Sequence, residues 1–133
     1  MANLFKAHIE SNGKGYYSIY VDEEFPFGFF GEGYSVEEAK ENFLKTFDGF
    51  RNKHKERTGE YVEASFEFVY DMSAILQECK SFISFAGLAK VTGISKAMLS
   101  QYACGNRKPK EQMRKRIIDG IHEIGAACMS VGA

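Results

Sequence analysis

Proline occurs only twice in this 133-residue chain and no stretch is low in complexity, which excludes a proline-rich or disordered tract. Cysteine is scarce as well. Cys79, Cys104 and Cys128 are odd in number, widely spaced and without paired histidines, so neither a disulfide framework nor a zinc site is indicated. No apolar run approaches the ~20 residues of a membrane span, and the N-terminus carries no signal-peptide pattern; a cytoplasmic protein with no membrane partner is expected. Excess charge is missing too, the net being -1, but its distribution is uneven. Nine cations stand against four anions from Met72 onward, and eight against fourteen before it. Opposite-signed halves suggest two modules with different partners, the basic one for nucleic acid. What is abundant is apolar character, 44% of residues, enough for one good core or two small ones.

Residues 84–109, Ser-Phe-Ala-Gly-Leu-Ala-Lys-Val-Thr-Gly-Ile-Ser-Lys-Ala-Met-Leu-Ser-Gln-Tyr-Ala-Cys-Gly-Asn-Arg-Lys-Pro, carry the most informative spacing. Two short helices crossing steeply need a small residue at the crossing and a left-handed corner, and Ala89 and Gly93 sit four apart in those roles. Leu88, Val91, Ile94, Leu99 and Tyr102 then fall on one buried seam. Ser95 suits an N-cap and Gly105 a helix end. Lys96, Ala97, Ser100 and Gln101 remain exposed on the second helix. Such a face suits a major groove, where Gln pairs with adenine, Lys with guanine, and an alanine methyl touches thymine. Asn106, Arg107 and Lys108 follow where backbone amides and cations would meet a phosphate. The bland reading is that any helical hairpin needs a glycine corner and an apolar seam; the basic run after it tips the balance toward DNA. The pattern over residues 88–109 resembles Xre and lambda-repressor domains, which implies a helix-turn-helix that binds double-stranded operator DNA with Ser95, Lys96, Ala97, Ser100, Gln101, Asn106, Arg107 and Lys108.

Upstream, Phe5, Ala7 and Ile9 alternate with Lys6, His8 and Glu10, the period of a half-buried strand. A turn at 12–15 leads to a second alternating segment, 16–21, and residues 27–30 read as a short third strand before a glycine exit at Gly31 and Gly33. Ser35 and Glu38 form a capping box for a helix whose Val36, Ala39, Phe43, Phe47 and Phe50 recur at helical spacing. Residues 52–64 read as the end of that helix plus a polar connection, and Phe66, Phe68 and Tyr70 mark a fourth strand. One helix covers one sheet face, so the other must be polar, shallow or occupied by a partner. Asp71 or Ser73 caps a further helix reaching about Phe82. A final helix after Pro109 aligns Met113, Ile117, Ile121, Ile124 and Cys128, either to finish the core or to form a dimer seam. The expectation is an α+β chain: a small βββαβ unit over residues 1–71, then an all-α helix-turn-helix domain over 72–133.

Gly-Tyr-Tyr-Ser-Ile-Tyr-Val-Asp from Gly15 and Gly-Glu-Gly-Tyr-Ser-Val-Glu-Glu-Ala-Lys-Glu-Asn from Gly31 resemble the HicB family of bacterial antitoxins. Many members carry Pro-Gly-Cys after the second strand, whereas residues 24–28 here read Glu-Phe-Pro-Phe-Gly. The resemblance implies a small sandwich similar to a partial ribonuclease H fold, which masks an mRNA-cleaving HicA-like toxin, and a second domain that represses the operon. The uncovered sheet face with Tyr16, Tyr20, Phe27 and Phe29 supplies candidate toxin contacts. DNA recognition of operator grade further calls for a homo-dimer or higher homo-oligomer.

Two other classes stay in view. A metal-dependent nuclease would gather cations on Glu10, Asp22, Glu23 and Glu24, but a loop charge run usually marks a solvated turn, so no enzyme, no metal and no cofactor are expected. A stand-alone Xre-like transcriptional regulator would use the first half for sensing or oligomerisation. His8, His54 and His122 have no partner spacing and read as structural or solvated.

Overall fold

The computed structural model describes residues 3–132, a four-stranded sheet and five helices in the order β1 (Leu4–Ser11), β2 (Tyr17–Tyr20), β3 (Phe30–Gly33), α1 (Val36–Thr58), β4 (Ser65–Tyr70), α2 (Met72–Cys79), α3 (Phe85–Thr92), α4 (Lys96–Ala103) and α5 (Glu111–Val131). Residues 1, 2 and 133, at the ends of the two expected domains, lie outside the described residues. Strand order is β3-β2-β1-β4, with β1 antiparallel to β2 and parallel to β4.

The alternation in β1 sends Ala7, Ile9 and Ser11 inward, opposite Ile19 and Tyr17 on β2 and beside Phe68 and Tyr70 on β4. That face meets Val36, Ala39 and Phe43 of α1. Ser35 caps α1 by accepting from Glu38 N at 3.0 Å, and the Glu38 carboxylate accepts from Tyr34 N at 3.3 Å.

The third strand is not where its apolar residues suggest. Residues 27–29 stay outside it; of the expected segment β3 keeps only Phe30, and it runs on through the two glycines. A Cβ on Gly31 would overlap the backbone of Phe43, and one on Gly33 would lie 2.7 Å from Ala39 N. Glycine is therefore used inside the strand so that α1 can lie directly on its backbone. Phe25, Phe27 and Phe29 are released from pairing and wrap the end of α1, with ring centroids 4.9 Å apart for Phe29 and Phe43 and 6.1 Å for Phe27 and Phe47. Phe27 and Phe29 thus sit with the helix rather than on the uncovered sheet face. The helix itself continues to Thr58, where Gly59 ends it at φ 80°. His54 belongs to this extension and is buried, bonded to Glu60 at 2.9 Å and 5.6 Å from the Phe27 ring, not placed in a polar connection.

The helical half has its own core of Met72, Leu76, Leu88, Ile94, Leu99, Tyr102 and Ile117. Asp71 caps α2, which stops at Cys79, short of the expected Phe82. On α3 the inward position is Thr92, not Val91, which is 38% exposed. Thr92 stays buried because its hydroxyl donates to Leu88 O and accepts from Ile94 N. Gly120 lets α5 cross there, since a Cβ would overlap Thr92 Cγ2.

α2 belongs to both cores. Ala74 packs under the sheet while Met72 and Leu76 face the other helices. Ser73 Oγ accepts from Ser11 N at 3.0 Å, and Tyr17 donates to Glu78 at 2.7 Å. The β1–β2 turn also reaches α4: a Cβ on Gly13, at φ 80°, would lie 2.9 Å from Cys104 Cα.

Candidate nucleic-acid interface

α3 and α4 are joined by Gly93, Ile94 and Ser95. Gly93 takes φ 75° and closes α3 with a bond to Ala89 O, a backbone no β-substituted residue adopts easily. Ser95 then caps α4 by accepting from Met98 N at 3.1 Å. Leu99, Tyr102 and Ala103 turn into the core, which fixes the rotation of the helix. Lys96, Ala97, Ser100 and Gln101 consequently lie together on the exposed side, spaced i, i+1, i+4 and i+5.

The loop after α4 differs from its expected role in one respect. The backbone amides of Asn106 and Arg107 both donate to Gln101 O, at 3.1 and 3.4 Å, and Gly105 N donates to Tyr102 O. These amides close the helix end and are taken up. Asn106 and Arg107 keep only their side chains for a ligand, and the Lys108 side chain follows them. They differ among themselves. Arg107 is exposed, with Nη1 3.6 Å from Met98 Sδ beside the outward face of α4. Lys108 instead reaches back to the sheet, 2.8 Å from Glu10 and 3.8 Å from Asp71. The bond to Glu10 raises the pKa of Lys108, with the Asp71 charge adding to it.

The start of α5 supplies cations that motif reading passed over. Arg107, Lys108, Lys110, Gln112 and Arg116 surround Tyr102 and Met113 in an open cleft of about 400 Å³. Arg116 is held by a 2.6 Å bond to Thr92 O, at the carbonyl end of α3 where a cation is favoured. The basic run after Pro109 was the available signal; its link to α3 depends on how α5 crosses.

The second exposed surface is the outer sheet face. Glu10, Tyr16, Tyr20 and Glu32 alternate outward there. Tyr16 donates to Glu32 at 2.6 Å, Tyr20 donates to Glu10 at 2.7 Å, and His8 lies 3.1 Å from Asp22. The bond to Glu32 pushes the Tyr16 phenol up to about 12. Burial first, then the bond to Glu10, raises Tyr20. The carboxylates suggested for a metal are dispersed: Glu10 holds Tyr20 and Lys108, Asp22 faces His8, and Glu23 accepts from Lys6 N. No group of three or more His, Cys, Asp or Glu side chains suited to a metal ion occurs among the described residues. No helix among them is long and apolar enough to cross a membrane.

No family model, curated protein or solved structure matches this chain.

Proposed function

We propose that this chain is an antitoxin and autorepressor: residues 72–133 form a helix-turn-helix domain that binds operator DNA through α4, and the sheet domain masks a small basic, mRNA-cleaving toxin of the HicA-like kind. The single observation that carries the DNA half is the outward face of α4, where Lys96, Ala97, Ser100 and Gln101 stand together on a helix fixed by a capped corner. A short, rigid helix bearing one cation, one amide and small residues fits a major groove, and Arg107 beside it can meet the neighbouring phosphate. Ser95 and Asn106 flank that face at the two ends of α4.

The toxin half rests on the HicB resemblance and on charge. The first half of the chain carries most of the anions, and its outer sheet face presents tyrosines paired with carboxylates. A protein that grips RNA must be basic, so an acidic face could steer and cover it. The βββαβ order, read as similar to a partial ribonuclease H fold, leaves that face free of α1. On this reading the protein works in the cytoplasm, without a cofactor and without catalysis of its own.

Coexpression with the product of the adjacent gene tests the proposal, scored by growth rescue and copurification, together with binding to the upstream promoter fragment. Promoter binding with no copurifying partner would leave a stand-alone transcriptional regulator. Loss of both would remove the reading, and magnesium-dependent cleavage of nucleic acid by the purified protein would replace it with an enzyme.

A further inference from the structure

The phenols of Tyr16, Tyr17 and Tyr20 each donate to a carboxylate, whereas the hydroxyl of Tyr102 bonds to no group among the described residues. Yet Tyr102 is only 7% exposed. A donor so deeply buried without an acceptor is disfavoured unless something outside the chain supplies one. Its oxygen is not sealed from solvent, and the residue lines the cleft of about 400 Å³ between α4 and the start of α5. The same cleft gathers positive charge. Arg107, Lys110 and Arg116 line it, Lys108 lines it while tied to Glu10 at 2.8 Å, and none of its seven lining residues is acidic. The helix that begins there is uncapped: Lys110 makes no side-chain cap bond, and the amides of Glu111, Gln112 and Met113 have no acceptor among the described residues.

We propose that this cleft binds the terminal phosphate or diphosphate end of a free small molecule. The Tyr102 hydroxyl donates to one oxygen, the start of α5 offers its amides, and Arg107, Lys110 and Arg116 balance the charge. Three features favour a free ligand over the backbone of a nucleic acid. Each backbone phosphate is a diester with a single negative charge, whereas three cations without carboxylate partners and a helix start suit a group carrying two or more. Depth points the same way: a diester flanked by two sugars stops at the rim, while a terminal group reaches a donor as buried as Tyr102. The volume also falls within the roughly 300–1,000 Å³ of small-molecule sites, and the Tyr102 ring and Met113 give an apolar wall for an organic remainder. Arg116 is already held in place at 2.6 Å from Thr92 O, a carbonyl that orients the guanidinium without neutralising it.

The test needs no DNA and no toxin, so it stands or falls apart from the proposed function. Calorimetric titration of the full chain with inorganic pyrophosphate should show one site per chain, saturating below ~10 mM, and the melting midpoint should rise with the ligand. Dimethyl phosphate, a singly charged diester that stands for a nucleic-acid backbone, should bind roughly tenfold more weakly or worse. Tyr102→Phe removes only the unbonded hydroxyl. It should leave the melting midpoint of the free chain unchanged and weaken pyrophosphate binding roughly tenfold, the loss of one hydrogen bond to a charged group. Lys110→Gln, at an exposed position where folding is not at stake, should weaken it as well. No saturable binding by the wild type, equal affinity for dimethyl phosphate, or an affinity untouched by either substitution would each overturn the proposal.

Discussion

Lys108 holds its ammonium 2.8 Å from the carboxylate of Glu10, ninety-eight residues earlier in the chain. The loop that follows α4 is thereby tied to the sheet, at the same junction where Ser73 and Ser11 bond and Gly13 meets Cys104. Lys108 is well exposed, so the ion pair contributes only about 0–1 kcal/mol, but it decides where the side chain points. Of the two cations in this loop, Lys108 is the one engaged by carboxylates, while Arg107 stays beside α4.

Arg107 and Lys108 should therefore differ when DNA binding is measured against salt. Arg107→Ala should weaken binding to all sequences and reduce the salt slope by about one. Lys108→Ala should change the slope less, since its charge is offset by Glu10 and Asp71. Equal losses from both variants in a titration of the promoter fragment would argue that Lys108 leaves Glu10 on binding.

Gln101 should act on sequence rather than on charge. Its replacement by Ala is expected to cost ~1–3 kcal/mol at the cognate site and to relax preference at one base pair, with the salt slope unchanged. Because Gln101 O also closes the helix end, through the backbone, the substitution leaves that closure intact. Wild-type affinity on a panel of single-base operator variants would count against base reading by this side chain.

Gly31 and Gly49 provide opposite outcomes from the same chemical change. At Gly31 a methyl meets the Phe43 backbone, which cannot yield as a flexible side chain would, so Gly31→Ala should destabilise by about 3 kcal/mol or more. Gly49 lies inside α1 with nothing within 4 Å of a built Cβ, and Ala there should stabilise by about 0.5–1 kcal/mol. Urea midpoints of the two variants are the check; a neutral Gly31→Ala would mean that α1 does not rest on β3.

The readable parts of the sequence were those whose cause is local. Ser35 and Ser95 each bond an amide three residues on, and Gly93 and Gly105 take positive φ within the turns that need it. Alternation around Ala7 and Ile9 likewise marks a strand because its period is intrinsic. What stayed hidden depends on distant chain. Gly31 and Gly33 read as an exit because glycine weakens strands, and only the approach of α1 reverses that. The polar end of α1 carries no apolar stripe; it is held by pairs such as Arg51 with Asp48 and by His54 beneath Phe27. On α3, Thr92 displaces Val91 inward because Gly120 of α5 presses against it. At the loop after α4, the spacing identified the exposed residues but not that Lys108 would find Glu10.

Alkaline pH should loosen the fold through its buried phenols. Burial and the bond to Glu78 raise Tyr17 above the ordinary 10.0, burial and Glu10 raise Tyr20, and Lys108 is raised as well. A group raised in the folded state adds stability that is complete below its unfolded pKa and is lost as pH climbs through the folded value. From these groups, stability should be level near neutrality and fall above about pH 10. Tyr17→Phe should lower the neutral plateau by about 1 kcal/mol for the lost bond and make the alkaline fall shallower. An unchanged alkaline slope in that variant would rule out Tyr17 as a contributor.

Dividing the chain should show which surface meets which partner, provided α2 is assigned with care. Periodicity and charge both change near Asp71, yet Ala74 completes the sheet core, Ser73 satisfies Ser11 N, and Glu78 accepts from Tyr17. A fragment of residues 1–71 loses all three and should be markedly less stable than one of residues 1–80. The complementary fragment 72–133 keeps Met72 and Leu76 and with them its own core. On the proposed reading, residues 1–80 should rescue growth when coexpressed with the neighbouring gene product, without binding the promoter. Residues 72–133 should bind the promoter without rescue. Complex formation by the longer N-terminal fragment should slow as salt rises, because charge on the sheet face guides the encounter, while the formed complex should persist on apolar contacts around Tyr16 and Tyr20. Rescue by residues 72–133 alone would move the toxin contact off the sheet, and equal stability of the two N-terminal fragments would show that α2 is not shared.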